Sequence, residues 1–230
     1  MTSTRRRRIT GVISVFGELL ITAGVVLGLF VVYSLWWTNV LADRESSRQS
    51  DQVRDDWAEG RGPGGPGALD TKDGIGFLHV PAMNNGEVLV KKGTDPKKLN
   101  DGIAGYYTKP IASALPWDAK GNFTLAAHRD GHGAKFHNIH RVKEGDPIVF
   151  ETRDTWYVYK VYKKLPETSK YNVNVLQPVP EESGKKKAGR YITLTTCTPV
   201  LTSDYRYIVW GELVREVKVD DRRTRPEELR

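Results

Sequence analysis

The chain has 230 residues, a net charge of +7 from 35 Lys and Arg against 28 Asp and Glu, and a single cysteine. That length leaves room for one domain of roughly 150 residues plus an extension. The lone cysteine excludes an intramolecular disulfide and any Cys-rich metal centre, so its thiol serves either packing or chemistry.

Four of the positive charges form the run Arg5, Arg6, Arg7 and Arg8. The others are interleaved with acids and no nucleic-acid motif accompanies them, so no nucleic-acid partner is expected. After the arginines, Glu18 is the one charge between Ile9 and Ala42, and Leu19 to Trp37 is a stretch of 19 uncharged residues. As a helix that stretch is about 28 Å long, which matches a hydrocarbon core of roughly 30 Å. The arginine run predicts an N-terminus in the cytoplasm, with Tyr33, Trp36 and Trp37 as an aromatic belt at the far interface. A cleaved secretory signal is the competing reading, with Val40-Leu41-Ala42 as a weak cleavage site; either way the following domain is exported. The arginines also raise a twin-arginine signal without deciding the export route.

From Asp43 to Glu59 the chain turns polar, with helix formers but no apolar stripe, and either prolongs the helix into solvent or forms a disordered stalk. GRGPGGPG at 60–67 is a linker, because neither helix nor strand tolerates that Gly and Pro content. Beyond it, seven short runs rich in β-branched and aromatic residues start at 75, 87, 122, 146, 155, 191 and 205. Polar turns punctuate them, which predicts a mainly β barrel or sandwich of seven or eight strands. Short helical turns are expected near Pro96–Asn100 and Lys135–His140. The segment 173–190 is expected to be a long exposed loop, either functional or a tolerated insertion.

Cys197 stands in YITLTTCTPV, where Thr198-Pro199 breaks the strand and brings the thiol to a strand terminus. His128 ends a second strand, NFTLAAHR, in the same way. A histidine and a cysteine at strand ends are the parts of a thiol nucleophile and its proton-transfer partner. Arg206 opens the next strand nine residues after Cys197, close enough for its guanidinium to reach the thiol's side. An arginine cannot give up its charge, so it would steady an oxyanion and orient a peptide carbonyl, leaving proton transfer to His128. By strand alternation Thr195 shares the face of Cys197 and Thr196 the opposite one.

TLTTC, an arginine nine residues on and an upstream strand ending A-A-H-R together resemble the signature of the sortases, over about residues 73–218. The resemblance implies a closed β-barrel of about eight strands behind a membrane anchor. It also implies a cysteine transpeptidase, a thiol-protease-like hydrolase class, in which Cys197 is the nucleophile, His128 the acid and base, and Arg206 the substrate and oxyanion residue. Such an enzyme cleaves an LPxTG-like sorting signal after Thr through a thioacyl intermediate. It then passes surface proteins to an amine, typically on the peptidoglycan precursor of a Gram-positive cell wall. The resemblance is closest to the actinobacterial class E group: Gly105-Tyr106-Tyr107 stands where many sortases have G-H-Y, and Tyr106 is tied to a preference for LAxTG. Thr196, Ala127 and Tyr106 are thus expected to meet substrate. No cofactor and no metal are implied.

His128, His132, His137 and His140 lack the H-E-x-x-H spacing and the helix that a zinc site of that type needs. Asp130 and Asp204 are expected to be turn carboxylates or orienting groups. The expected organisation is a basic arm at 1–8, an anchor at 9–42, a stalk and linker at 43–70, a catalytic barrel at 71–219 and a charged tail at 220–230. The rival reading is a membrane-tethered β-domain that binds cell wall or protein without catalysis, with Cys197 as packing.

Overall fold

The computed structural model describes residues 3–60 and 74–230. It divides into two units, Met1–Thr38 and Asn39–Arg230. The expected linker beyond Gly60 and the expected start of the barrel near Thr71 lie outside the described residues. Helix α1 runs Ser3–Ala58. From Ser14 it contains a window of mean hydropathy 2.4, none of it buried, so it is long and apolar enough to cross a membrane. Val15, Phe16, Leu20, Val26, Leu29 and Phe30 are all exposed.

The second unit opens with the last turns of α1. Ala42, Ser46, Gln49 and Val53 are buried there. Their spacing of three and four residues puts them on one helix face, and Val53 packs with Phe77, Leu89 and Ile103. The segment therefore continues as helix and does have an inward stripe. Two of its four members are polar and one is Ala, so hydropathy does not reveal it.

Eight strands follow: β1 (Gly76–His79), β2 (Glu87–Lys92), β3 (Ala104–Tyr106), β4 (Gly121–Ala126), β5 (Pro147–Glu151), β6 (Thr155–Ser169), β7 (Arg190–Thr198) and β8 (Tyr205–Lys218). They close into a barrel in the order β1-β2-β3-β4-β7-β8-β6-β5. The β2–β3 and β4–β7 pairs are parallel. Such pairs need crossovers, and the first is made by helix α2 (Pro96–Leu99), capped by the Asp95 carboxylate accepting from Lys97 N at 2.9 Å. The closed barrel is the one the resemblance implies, where the strand pattern left barrel and sandwich open, and β3 is the strand its residues do not announce. Three residues, Ala-Gly-Tyr, are too few to display a period of two.

Alternation sorts the faces. Ala104 and Tyr106 of β3, Phe123 and Leu125 of β4, Ile192 and Leu194 of β7, and Tyr207 and Val209 of β8 fill the interior. The intervening residues of β7 are Thr193, Thr195 and Cys197, which therefore face outward. They are not left to solvent: the β6–β7 connection lays Val175 and Leu176 over Ile208 and Trp210 of β8. In β6, Pro166 lies between Leu165 and Thr168, where the pairing with β8 shifts register. A residue without an N–H is tolerated at such an irregularity.

Candidate active site

The register of β7 with β8 places Cys197 directly opposite Arg206. The register of β4 with β7 pairs Ala126 with Thr195 in parallel, so His128 and Cys197 each lie two residues beyond a matched pair, at the same end of the sheet. The three residues singled out from the sequence thus converge on one barrel end from three strands that are consecutive in the sheet. Cys197 is a free thiol, partly buried.

Each is held by neighbours. Arg206 Nη1 donates to the carbonyls of Ser203 (3.0 Å) and Tyr205 (2.9 Å). Burial, reinforced by the charge of His132, pushes the His128 imidazole below its ordinary value, and Asp130 opposes the shift. Its Nε2 lies 2.9 Å from Asn100 Oδ1. In the tautomer with the hydrogen on Nε2, that oxygen accepts from the ring and Nδ1 is the basic nitrogen.

Arg129, the residue after His128, is buried. Its Nη1 donates to Thr198 Oγ1 at 2.6 Å and to Cys197 O at 3.3 Å, pinning the backbone of the cysteine from inside. Asp130 Oδ2 accepts from Leu201 N at 2.5 Å and so ties the β7–β8 loop to the histidine loop. His137 Nδ1 lies 2.8 Å from Arg129 O, so the ring serves the backbone of that loop. The rings of His128 and His132 are 5.4 Å apart and tilted.

The residues expected to meet substrate are placed differently from the thiol. Tyr106 and Ala127 belong to the interior cluster. Thr196 is buried on that side too, its Oγ1 donating to Ala127 O at 2.8 Å. The three fasten β3, β4 and β7 together, because strand alternation turns them inward while it turns Cys197 outward. On the thiol's face stands Tyr107, whose hydroxyl is 3.0 Å from Thr195 Oγ1. Burial raises its pKa despite the Thr195 hydrogen bond and the nearby Arg206 charge, so it keeps its proton and can donate. Applying the period of two to Gly105-Tyr106-Tyr107 would have separated the two tyrosines. Asn100 had no signal in sequence, since only the fold brings it to His128.

The sortase-domain family model matches residues 78–214. The chain is 71% identical over 223 residues to sortase SrtE2 of Streptomyces coelicolor, covering 95% of this chain and 88% of that one. It is 47% identical over 202 residues to sortase SrtE1 of the same organism, covering 87% of this chain and 56% of that one. Among solved structures, that of sortase E1 from Streptomyces coelicolor with a tripeptide in the active site superimposes with a TM-score of 0.64 at 46% identity, covering 68% of this chain and 96% of that one. With an eight-stranded mixed barrel, this match over more than half its length and these relatives, the chain belongs to the sortase family, on the side of the class E sortases.

Proposed function

We propose that this sortase transpeptidase works through the thiol of Cys197 on an LAxTG- or LPxTG-like sorting signal and transfers the cleaved surface protein to a cell-wall amine. The observation that carries the reading is the convergence of Cys197, Arg206 and His128 through the registers of β4, β7 and β8. In the first half-reaction the thiolate adds to the carbonyl carbon of the signal's Thr, and Arg206 steadies the oxygen that gains charge. The C–N bond breaks, His128 gives its proton to the departing amine, and a thioester to Cys197 remains. In the second half-reaction an amine, such as one on the peptidoglycan precursor, adds to the thioester. His128 takes the proton of that amine and the thiolate leaves.

The signal peptide is placed beside Cys197 at the outer end of β7 and β8, where the partly exposed Tyr107 offers a hydroxyl. The tripeptide in the active site of the related sortase E1 supports peptide as the substrate class. The apolar helix is the membrane anchor of the enzyme, with the arginine end in the cytoplasm and the barrel outside.

The test uses the full chain in detergent micelles with LAxTG and LPxTG peptides, with and without an amine acceptor. Intact mass should show an acyl adduct on Cys197 without acceptor and a peptide–amine product with it; Cys197→Ala should show neither. Absence of the adduct with both peptides overturns the reading.

A further inference from the structure

The helix segment before Val53 touches more than the barrel wall. Asn39 Oδ1 accepts from Gly133 N at 2.9 Å, and Asp43 Oδ1 accepts from Lys135 Nζ at 3.0 Å. Gln49 Nε2 donates to Asp101 Oδ2 at 3.2 Å. Ala42 sits over two glycines: a Cβ on Gly102 would come within 2.9 Å of the Ala42 carbonyl oxygen, and one on Gly133 within 3.1 Å of Asp43 Oδ1. The first of these turns, at 101–102, directly follows Asn100. The second is the loop that begins at His128, whose carbonyl accepts from Phe136 N at 2.9 Å.

That loop is costly to hold. Gly131, His132, Gly133 and Ala134 have φ of 61°, 47°, 77° and 40°, so four consecutive residues are left-handed. The glycines adopt this freely, but His132 and Ala134 each cost roughly 1–2 kcal/mol. Such a run persists only where its surroundings over-determine it. Within the loop, Ala134 N donates to Gly131 O at 2.8 Å and His137 N to Ala134 O at 2.8 Å. From outside, the helix supplies the acceptor for Gly133 and the partner of Lys135.

We propose that residues Asn39–Gln49 of α1 form a positioning brace of the active site, holding the Asn100–Gly102 turn and the left-handed Gly131–Ala134 turn, and through them His128 and its partner Asn100. None of the hydrogen bonds of the brace named above goes to Cys197 or Tyr107. Its effect passes through the orientation and water access of the His128 ring, which also faces His132 and Asp130. The inference rests on His128 as proton carrier.

The test is made in the full chain in detergent micelles. Ala42→Leu wedges the helix away from Gly102 and Gly133, while Asn39→Ala removes the acceptor for Gly133 and Asn39→Asp retains one. With the sorting peptide, Ala42→Leu should lower kcat by about tenfold to a hundredfold, the range for a catalytic group displaced by about an ångström, with KM unchanged. By NMR in a Cys197→Ala background, the His128 titration midpoint should rise toward the ordinary imidazole value as water reaches the ring. Asn39→Ala should move both readouts the same way and Asn39→Asp should restore them. A variant that is merely less stable would lower the active fraction without moving the titration. A folded Ala42→Leu protein with wild-type kcat and titration overturns the brace. If Ala42→Leu does not fold, identical behaviour of the two Asn39 variants overturns it instead. Full activity in His128→Ala would sink the proton-carrier reading, leaving the titration result to judge the brace alone.

Discussion

Arg206 spends one guanidinium nitrogen on two carbonyls of its own loop, and among the described residues Nε and Nη2 have no protein partner. A planar fork held this way presents its remaining N–H groups in a fixed direction, which an ammonium on a flexible stem does not reproduce. Arg206→Lys should therefore lower kcat by about a hundredfold, the scale of one lost oxyanion donor, as read by steady-state kinetics on the sorting peptide. At His128 the shift below the ordinary value makes the imidazolium scarcer near neutrality and a stronger acid when present. It also couples folding to pH. The unfolded chain takes up this proton first, so stability that is full above about pH 6.5 falls as pH drops through that value. Melting temperature measured across that window should fall less steeply in His128→Gln than in the wild type; parallel slopes would remove His128 from the coupling.

Strands and turns decide which of these side chains meet. The parallel β4–β7 pair advances His128 and Cys197 together, and the β7–β8 hairpin sets Arg206 across from the thiol, so the site depends on register more than on any single contact. The short β3 strand closes the ring beside it. A Cβ on Gly105 would lie 2.1 Å from Gly93 O, where Gly93 N donates to Tyr106 O at 2.9 Å. Gly105→Ala should cost about 1–3 kcal/mol or more, as overpacking does, measured by urea denaturation. This level also separates what is legible in the sequence from what is not. Cys197, Arg206 and His128 stand at strand ends marked by alternation and by Pro199 or Gly131, so local pattern finds them. Tyr107, Asn100 and Arg129 owe their places to pairings across the sheet or to a loop packed against it. Tyr106 shows the limit of motif position alone, since the pleat turns it inward. The stripe Ala42, Ser46, Gln49 and Val53 escapes hydropathy because a helix that packs on glycines and carboxylates needs small and polar residues on its inner face.

Across the whole second unit, one carboxylate gathers distant parts of the chain. Glu151, at the end of β5, is almost fully buried and accepts from Arg54 Nη1 at 2.5 Å, His79 Nε2 at 3.0 Å and Arg223 Nη2 at 2.5 Å. Burial alone would raise its pKa, but the hydrogen bonds from Arg54, His79 and Arg223 and the Arg54 charge outweigh that and hold it at about 2. A depressed carboxylate stabilises the fold at pH above its unfolded value and loses that contribution as pH falls toward 2. Glu151→Gln should cost about 3 kcal/mol at neutral pH, the low end for a broken buried pair, because both arginines keep some contact with water. Thermal melts of the variant and the wild type should converge as the pH approaches 2. The tail expected to be merely charged takes part as well, with Arg223 on Glu151 and Arg215 on Glu228 at 2.7 Å.

Arg54 grips Glu151 near one end of the packed helix segment, while Asn39 receives the Gly133 amide at the other. A segment fastened at both ends should stay in place without the peptide chain that joins it to β1. Cut between residues 61 and 70, the protein should elute from a sizing column as one particle made of two polypeptides, and separate elution of the two pieces would show that the packing alone does not hold them.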